Sequence, residues 1–348
     1  MKVLVAMSGG VDSSVAAALL VEAGHDVTGV TMKLWGGDSD TGCCSVADVD
    51  DARRAAQQLD VDHLVFNFGD DFMARVVEPY VTAHIEGRTP NPCIECNRHL
   101  KFDRLLDRAD ALGFDAVATG HHARIVERPD GGRRLARGAD AAKDQSYVLY
   151  VVPSRDLARV LLPVGDMTKA EVRAEATRLG LRTADKPDSQ DVCFITSTGG
   201  RRTFLGDRIE LRPGRLVDRT GAEVGRVDAV ELVTVGQRKG LGLAGEGEPQ
   251  YAVAVDVAAG VVTVGAAADL LADRVVVGDL VWSDEPMLGP VLAQGSAHGD
   301  PRRVDVTAGD HPGTVGVRWI DGPIRRIAAG QSLVFYDGDE VLGGGIVG

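Results

Sequence analysis

The opening run KVLVAM (Lys2–Met7) breaks at a glycine turn, SGGVDSS (Ser8–Ser14), which leads at once into the alanine- and leucine-rich stretch SVAAALLVEAG. A short continuous apolar run bounded by glycine is the pattern of a strand buried on both faces. The alanine-rich stretch is the pattern of a helix, with Gly24 as its stop. The alternation then repeats. DVTGVTM (Asp26–Met32) predicts a second strand, VADVDDARRAAQQL a helix with Ser45 as its cap, and HLVFN a third strand. A helix over Asp71–Glu86, the helix KFDRLLDRADALG and the strand DAVATG follow. MTKAEVRAEATRLGL opens with a capping box, Thr168 with Glu171 three residues on. Strands alternating with helices predict an α/β domain, a parallel sheet covered on both faces.

After Gly199–Gly200 the pattern changes. Short valine-rich runs such as GRLVD, YAVAVDV, GVVTVG, RVVVGDLVW and SLVFYDGDEVLGGGIV alternate with Gly, Pro and Asp. That is all-β texture. The expected division is an α/β domain over residues 1–198, a small β-rich central domain over 199–272 and a C-terminal β barrel over 273–348.

The glycine turn lies between a parallel strand and a helix, where open α/β sheets bind ligands. Backbone N–H groups at a helix start lack intrahelical partners and carry the positive end of the dipole, so an anion is favoured there. Gly9 and Gly10 permit close backbone approach, and Ser8, Ser13 and Ser14 add hydroxyls. Asp12 is out of place beside a phosphate unless it holds Mg²⁺ or caps the helix. The string lacks the Gly-Lys-Ser/Thr of a Walker loop and the spacing of a dinucleotide fingerprint.

The five cysteines, Cys43, Cys44, Cys93, Cys96 and Cys193, are an odd and sparse set. With no apolar run approaching the roughly 20 residues of a membrane span and no secretory signal, the chain reads as cytoplasmic. There, cysteines point to chemistry or metal rather than a disulfide framework. The net charge of −13 excludes bulk nucleic-acid binding by a basic surface. Residues 198–348 carry 15 basic and 21 acidic side chains, and residues 1–197 carry 23 and 30. Any nucleic acid must meet a local patch, for which Arg201, Arg202, Arg238, Lys239, Arg302, Arg303, Arg325 and Arg326 are expected to gather on one face.

SGGVDSS resembles the PP-loop of ATP pyrophosphatases, which split ATP into AMP and pyrophosphate while adenylating a substrate. Six further stretches resemble one family within that superfamily, the bacterial tRNA-specific 2-thiouridylases (MnmA/TrmU). They are TPNPCIECNRHLKF (Thr89–Phe102), ATGHHAR (Ala118–Arg124), KDQSYVLY (Lys143–Tyr150), KPDSQDVCFI (Lys186–Ile195), VGQRKGLG (Val235–Gly242) and GQSLVFYDGDEVLGGGIV. They occur in order along essentially the whole chain.

The resemblance implies that ATP adenylates the C2 oxygen of the wobble uridine in glutamate, glutamine and lysine tRNAs, and that sulfur carried on the enzyme replaces the activated oxygen. It implies ATP contacts from Ala6, Met7, Ser8, Gly9, Gly10, Val11, Asp12, Ser13, Met32 and Gly120. It makes Cys96 the nucleophile and Cys193 the persulfide carrier. It places His121, Lys143, Asp144, Gln145, Arg318, Trp319 and Gln331 near tRNA, and Arg238 and Lys239 would pair with phosphates. Trp319 departs from the expected Tyr but keeps a stacking surface. Cys93 stands where many members have Asp, which leaves the general base open. A sulfur donor such as a cysteine desulfurase or a relay protein is implied, as is Mg²⁺ with the nucleotide.

Two chemistries fit the three thiols. In one, Cys193 carries a persulfide and Cys96 releases the sulfur through a disulfide, its position near a helix start favouring the thiolate. In the other, Cys93, Cys96 and Cys193 ligate a 4Fe–4S cluster. An alternative function is a small-molecule ATP pyrophosphatase or synthetase, which would need neither Cys96 nor Cys193 and would leave the β domains without a role.

Overall fold

A computed structural model of the chain describes residues 1–34, 46–188, 192–195, 200–243 and 248–348. Cys43, Cys44 and the cap expected at Ser45 lie outside the described residues.

The N-terminal part is the α/β unit that the alternation predicts. Strands β1 (Lys2–Ala6), β2 (Asp26–Lys33), β3 (Asp62–Asn67), β4 (Ala116–Thr119) and β7 (Val160–Leu161) form one parallel sheet in the order β3-β2-β1-β4-β7. From β1 the chain winds outward through β2 and β3, then crosses back to lay β4 on the other side of β1. The connections therefore diverge at the carboxyl ends of β1 and β4, the end of the sheet at which open α/β folds bind ligands. Helices α1 (Val11–Glu22) and α2 (Val46–Gln58) pack on this sheet. Val3, Val5, Ala17, Ala52 and Ala56 close one of its cores.

Two departures from the simple alternation matter. After β4 the chain forms an antiparallel hairpin, β5 (Ala123–Glu127) and β6 (Arg133–Arg137), which leaves the parallel sheet and joins the C-terminal one through Glu340 opposite Ala136. The helix expected from Lys101 begins earlier. Pro92–Cys96, Asn97–Arg104 and Leu105–Leu112 run on continuously, with a π-helical middle, and stop at Gly113, whose φ of +74° is left-handed. Pro92 at the first helical position and Asn91 as its cap explain the early start: the Asn91 side chain accepts from the Cys93 amide at 3.0 Å.

The central β-rich region is a four-stranded sheet of Tyr251–Asp256, Val261–Gly265, Gly214–Val217 and Glu223–Val227. The C-terminal region is a six-stranded antiparallel barrel. Arg274–Trp282, Val315–Trp319, Arg302–Ala308, Gly289–Gln294, Ser332–Asp337 and Glu340–Val347 pair in that order, and the last strand closes onto the first.

The barrel is bolted to the α/β unit. Tyr147, Leu149, Tyr150 and Ile94 share one apolar core with Val334, Tyr336 and Val341 of the barrel. The Tyr147 hydroxyl donates to the Ser332 carbonyl at 2.8 Å, and Tyr150 meets the Ser332 hydroxyl at 3.1 Å. Among the described residues no helix is long and apolar enough to cross a membrane.

Candidate active site

The glycine turn sits at this end of the sheet, between β1 and α1. Gly10 is the N-cap of α1 and offers no side chain, so the first-turn amides face outward. The serines brace the turn from within. The Ser8 amide donates to Ser13 Oγ at 3.2 Å, and the Ser13 and Ser14 hydroxyls donate to the Gly10 carbonyl at 3.2 and 2.9 Å. Gly9 has φ +73°, and a Cβ there would lie 2.3 Å from the Asp48 carbonyl oxygen at the start of α2. Glycine is required on both counts.

Asp12 neither caps α1 nor faces a divalent-cation site. Both of its carboxylate oxygens accept from Lys169 Nζ at 2.7 Å, and Oδ1 also meets His122 Nε2 at 3.1 Å. Burial alone would raise its pKa, but the hydrogen bonds from His122 and Lys169 outweigh burial and hold the carboxyl below the usual range. A metal would have to displace the Lys169 ammonium, so these residues do not fit the expected Mg²⁺ ligand.

Lys169 also reaches Asp188 at 3.0 Å, and Asp188 receives Lys143 at 2.8 Å and Arg173 at 2.8 Å. Burial works to raise the Asp188 carboxyl, and the two lysines hold it far below the ordinary value. Two residues earlier, Lys186 clasps Asp48 and Asp51 of α2 at 2.7 Å each. The stretch 186–188, which leads towards Cys193, thus lies across the nucleotide turn.

Gly120, expected near the nucleotide, also packs closely on the start of α1. A Cβ there would lie 2.5 Å from the Ser13 amide nitrogen and 2.7 Å from the Asp12 carbonyl carbon. It lets the loop after β4 pack on the start of α1. Met32, on β2, borders both the large shared core and the cluster around Cys96. Ala6 ends β1, and Met7 and Val11 are buried beneath the turn.

Cys96 is buried, and Cys193 is half-buried against the same apolar cluster, formed by Phe72, Tyr80, Leu100, Phe194 and Phe204. Phe194 anchors the Cys193 segment, edge-on to Phe72 at 5.5 Å and to Tyr80 at 5.7 Å. Cys93 is half-buried. It is the second residue of its helix and Cys96 the fifth, so the helix start that Cys96 was expected to occupy is nearer Cys93. None of the three is in a disulfide. Among the described residues no three His, Cys, Asp or Glu side chains gather as a metal-ligand group.

Several residues expected at a tRNA surface make contacts within the protein. His121 is buried between Thr119 Oγ1 at 2.7 Å and Lys101 Nζ at 3.3 Å, and burial pushes its pKa well down, with the Lys101 charge adding to the shift. Asp144 is buried and accepts from the Gly138 and Ser146 amides, the Ser146 hydroxyl and Arg137, which spends its capacity on shaping its own loop. Gln145 accepts from the His122 amide at 2.8 Å. Gln331 donates through its side-chain amide to the Thr89 carbonyl. Trp319 points into the barrel because strand residues alternate, and its exposed neighbour Arg318 pairs with Asp305 at 3.2 Å.

Arg238 and Lys239 are exposed on a turn, as the sequence suggests. Of the basic residues expected on one face, Arg302, Arg303 and Arg325 meet around a cavity of about 240 Å³, one wall of which is Trp319. Arg201 instead donates to the Leu232 carbonyl, and Arg202 pairs with Asp228.

Sequence reasoning missed Lys169, Lys186 and Asp188. Lys169 had a signal: a lysine in the first turn of a helix opposes the dipole, so its place in TKAEVR called for another partner.

Residues 1–197 match the family profile described as tRNA methyl transferase HUP domain, residues 202–266 the tRNA methyl transferase PRC-barrel domain, and residues 281–347 the aminomethyltransferase beta-barrel domain. Proteins named tRNA-specific 2-thiouridylase MnmA match nearly end to end. The one from Roseiflexus castenholzii is 47% identical over 99% of this chain and 98% of its own length. That from Chloroflexus aggregans is 47% identical over 99% and 97%, and that from Mycobacterium sp. (strain JLS) 46% identical over 98% and 97%.

Proposed function

Because this chain belongs to the tRNA-specific 2-thiouridylase family, we propose that it thiolates the wobble uridine of glutamate, glutamine and lysine tRNAs through an adenylated intermediate and a Cys193 persulfide. The profile descriptions speak of methyl transfer, whereas the full-length relatives are named for thiolation. A PP-loop combined with two thiols on one apolar cluster is equipment for the latter. The observation that carries the reading is that Cys96 and Cys193, far apart in sequence, border the same cluster.

In the first step the uridine C2 oxygen attacks the α-phosphorus of ATP. The bond to the β-phosphate oxygen breaks, pyrophosphate leaves, and the N3 proton is lost. The protein's part is electrostatic and positional, from the first-turn amides of α1 and the charges beside them. In the second step the terminal sulfur of the Cys193 persulfide attacks C2, and AMP leaves with the oxygen. Cys96 thiolate then attacks Cys193 Sγ. The bond between Cys193 and the transferred sulfur breaks, the sulfur stays on C2, and a Cys96–Cys193 disulfide forms. An external thiol resets it, and a sulfur donor of the cysteine desulfurase or relay type reloads Cys193. Lys169 holds both carboxylate oxygens of Asp12, so no metal is assigned to that carboxylate.

The test is nucleotide turnover with and without RNA. With a persulfide donor supplied, ATP should give AMP and pyrophosphate only when a uridine-34 tRNA is present. Equal turnover without RNA, or turnover driven by a small amide or carboxylate, would favour the synthetase reading.

A further inference from the structure

We propose that Cys93 is a second resolving thiol, which moves the oxidation off the Cys96–Cys193 disulfide and presents it, as a Cys93–Cys96 disulfide, to a dithiol protein that reduces the enzyme between rounds. This rests on the reading of Cys193 as a persulfide carrier.

The thiolation steps use Cys96 and Cys193 and do not use Cys93. The fold sets the three thiols in series, with Cys96 in the middle. Cys96 and Cys193 border one apolar cluster. Cys93 and Cys96 lie three residues apart on one helical stretch, Pro92–Cys96. On a helix that spacing puts Cα atoms about 5 Å apart, inside the roughly 4.4–6.8 Å that disulfides bridge. The Cβ atoms, about 5–6 Å apart on a regular helix, must close by ~1–2 Å. The pair sits at the start of its helix, the part that gives most readily.

Burial makes the relay useful. Cys96 is only 8% exposed, and Phe72, Tyr80, Leu100, Phe194 and Phe204 form the cluster it shares with Cys193. An outside thiolate must shed its water to reach a sulfur held there. Cys93 is half-buried and already beside Cys96, so its attack is intramolecular. Cys193 is half-buried as well. A reductant that attacked Cys193 would remain bonded to the sulfur that the donor must reload, whereas the relay returns Cys193 as a free thiolate.

The exchange balances. The Cys93 thiolate attacks Cys96 Sγ, the Cys96–Cys193 bond breaks, Cys193 leaves as a thiolate and the Cys93–Cys96 bond forms. One thiolate of the dithiol protein then attacks Cys93 Sγ, and Cys96 leaves as a thiolate. The second thiol of that protein displaces Cys93. The dithiol supplies the two electrons and ends as a disulfide. A small dithiol in excess, such as dithiothreitol, reaches the Cys96–Cys193 disulfide directly and bypasses Cys93.

The experiment runs one anaerobic round of thiolation with persulfide-loaded, full-length protein, ATP, Mg²⁺ and a glutamate tRNA, without added reductant. Iodoacetamide then caps the free thiols, and peptide mass spectrometry reads the pairing. Wild type should show Cys93–Cys96 with Cys193 capped. Cys93→Ser and Cys93→Asp should both show Cys96–Cys193. Over many rounds with reduced thioredoxin as the dithiol protein, both variants should fall behind wild type by about tenfold or more, and dithiothreitol should restore them. A lasting Cys96–Cys193 pair in wild type, a pair with Cys43 or Cys44, a Cys93–Cys96 pair that forms without ATP, or variants that recycle normally with thioredoxin would overturn the relay. Thiolated tRNA beside fully capped Cys93, Cys96 and Cys193 would instead overturn the persulfide reading, and the relay with it.

Discussion

The Thr89 amide donates a 2.8 Å hydrogen bond to the Ala329 carbonyl, which fastens the C-terminal barrel to the loop that leads into Cys93 and Cys96. Gly330 completes the contact. Its φ is +87°, and a Cβ there would lie 3.0 Å from the Thr89 amide nitrogen and 3.1 Å from Arg88 Cβ. The barrel is thereby coupled to the thiol helix.

Gly330→Ala should strain this joint by about 1–3 kcal/mol and slow thiolation, while ATP affinity stays at the wild-type value because the nucleotide turn is elsewhere. Single-turnover thiolation beside ATP titration reads both. A parallel loss of the two, or no loss of either, would uncouple the joint from the cysteines.

Cys193→Ser and Cys96→Ser should both permit tRNA-dependent release of pyrophosphate and block appearance of 2-thiouridine. In Cys193→Ser the adenylated tRNA should accumulate and be detectable by radiolabel from α-labelled ATP, whereas Cys96→Ser should release AMP and leave the tRNA joined to Cys193 through the transferred sulfur. Normal thiolation by Cys193→Ser would mean that the sulfur carrier lies elsewhere.

Cys93→Asp should keep most of the activity. Position 93 is the second residue of its helix, where a carboxylate suits the dipole and adds roughly 0.3–1 kcal/mol of stability. A thermal melt and a thiolation assay check the two parts. Complete loss of activity in a folded variant would make the Cys93 thiol itself part of the chemistry.

His84 predicts a stability limb in acid. Burial pushes its pKa down from 6.5 to about 4, with the Arg201 charge adding and a backbone hydrogen bond to Glu231 opposing. Between those values the unfolded chain holds a proton that the folded chain does not. Stability therefore falls as pH drops through that window, by up to ~1.4 kcal/mol per pH unit, and His84 adds no pH dependence above it. Urea midpoints measured across the window should fall less steeply in His84→Gln. An unchanged slope would mean that other groups set the acid limb.

Much of this was legible in the sequence because the relevant signals are local. The apolar runs of β1 and β2, the glycines at 9 and 10 and the Thr168–Glu171 box each announce themselves within a few residues. The structure bears the box out, with the Glu171 amide donating to Thr168 Oγ1 at 3.3 Å and the Thr168 amide to Glu171 at 2.7 Å. What stayed hidden depends on the crossover that places β4 beside β1 and on the barrel packed against Tyr147 and Tyr150. No local pattern tells that the β5–β6 hairpin serves another sheet. None tells that Asp144, polar and set in a loop, accepts from Gly138, Ser146 and Arg137. Trp319 shows the same limit. The side-chain alternation of its strand turns it inward and Arg318 outward, and only the closed barrel says which side is in.

The measurement that tests the central claim most directly is thiolation of a glutamate tRNA transcript by metal-stripped enzyme under anaerobic conditions, with ATP, Mg²⁺ and a persulfide donor. Mass spectrometry of the digested tRNA reads 2-thiouridine. The account predicts product without iron, dependent on Cys96 and Cys193 and accompanied by AMP. Product that forms only after iron–sulfur reconstitution would contradict it, and would make the three cysteines ligands rather than a sulfur carrier and its resolving partner.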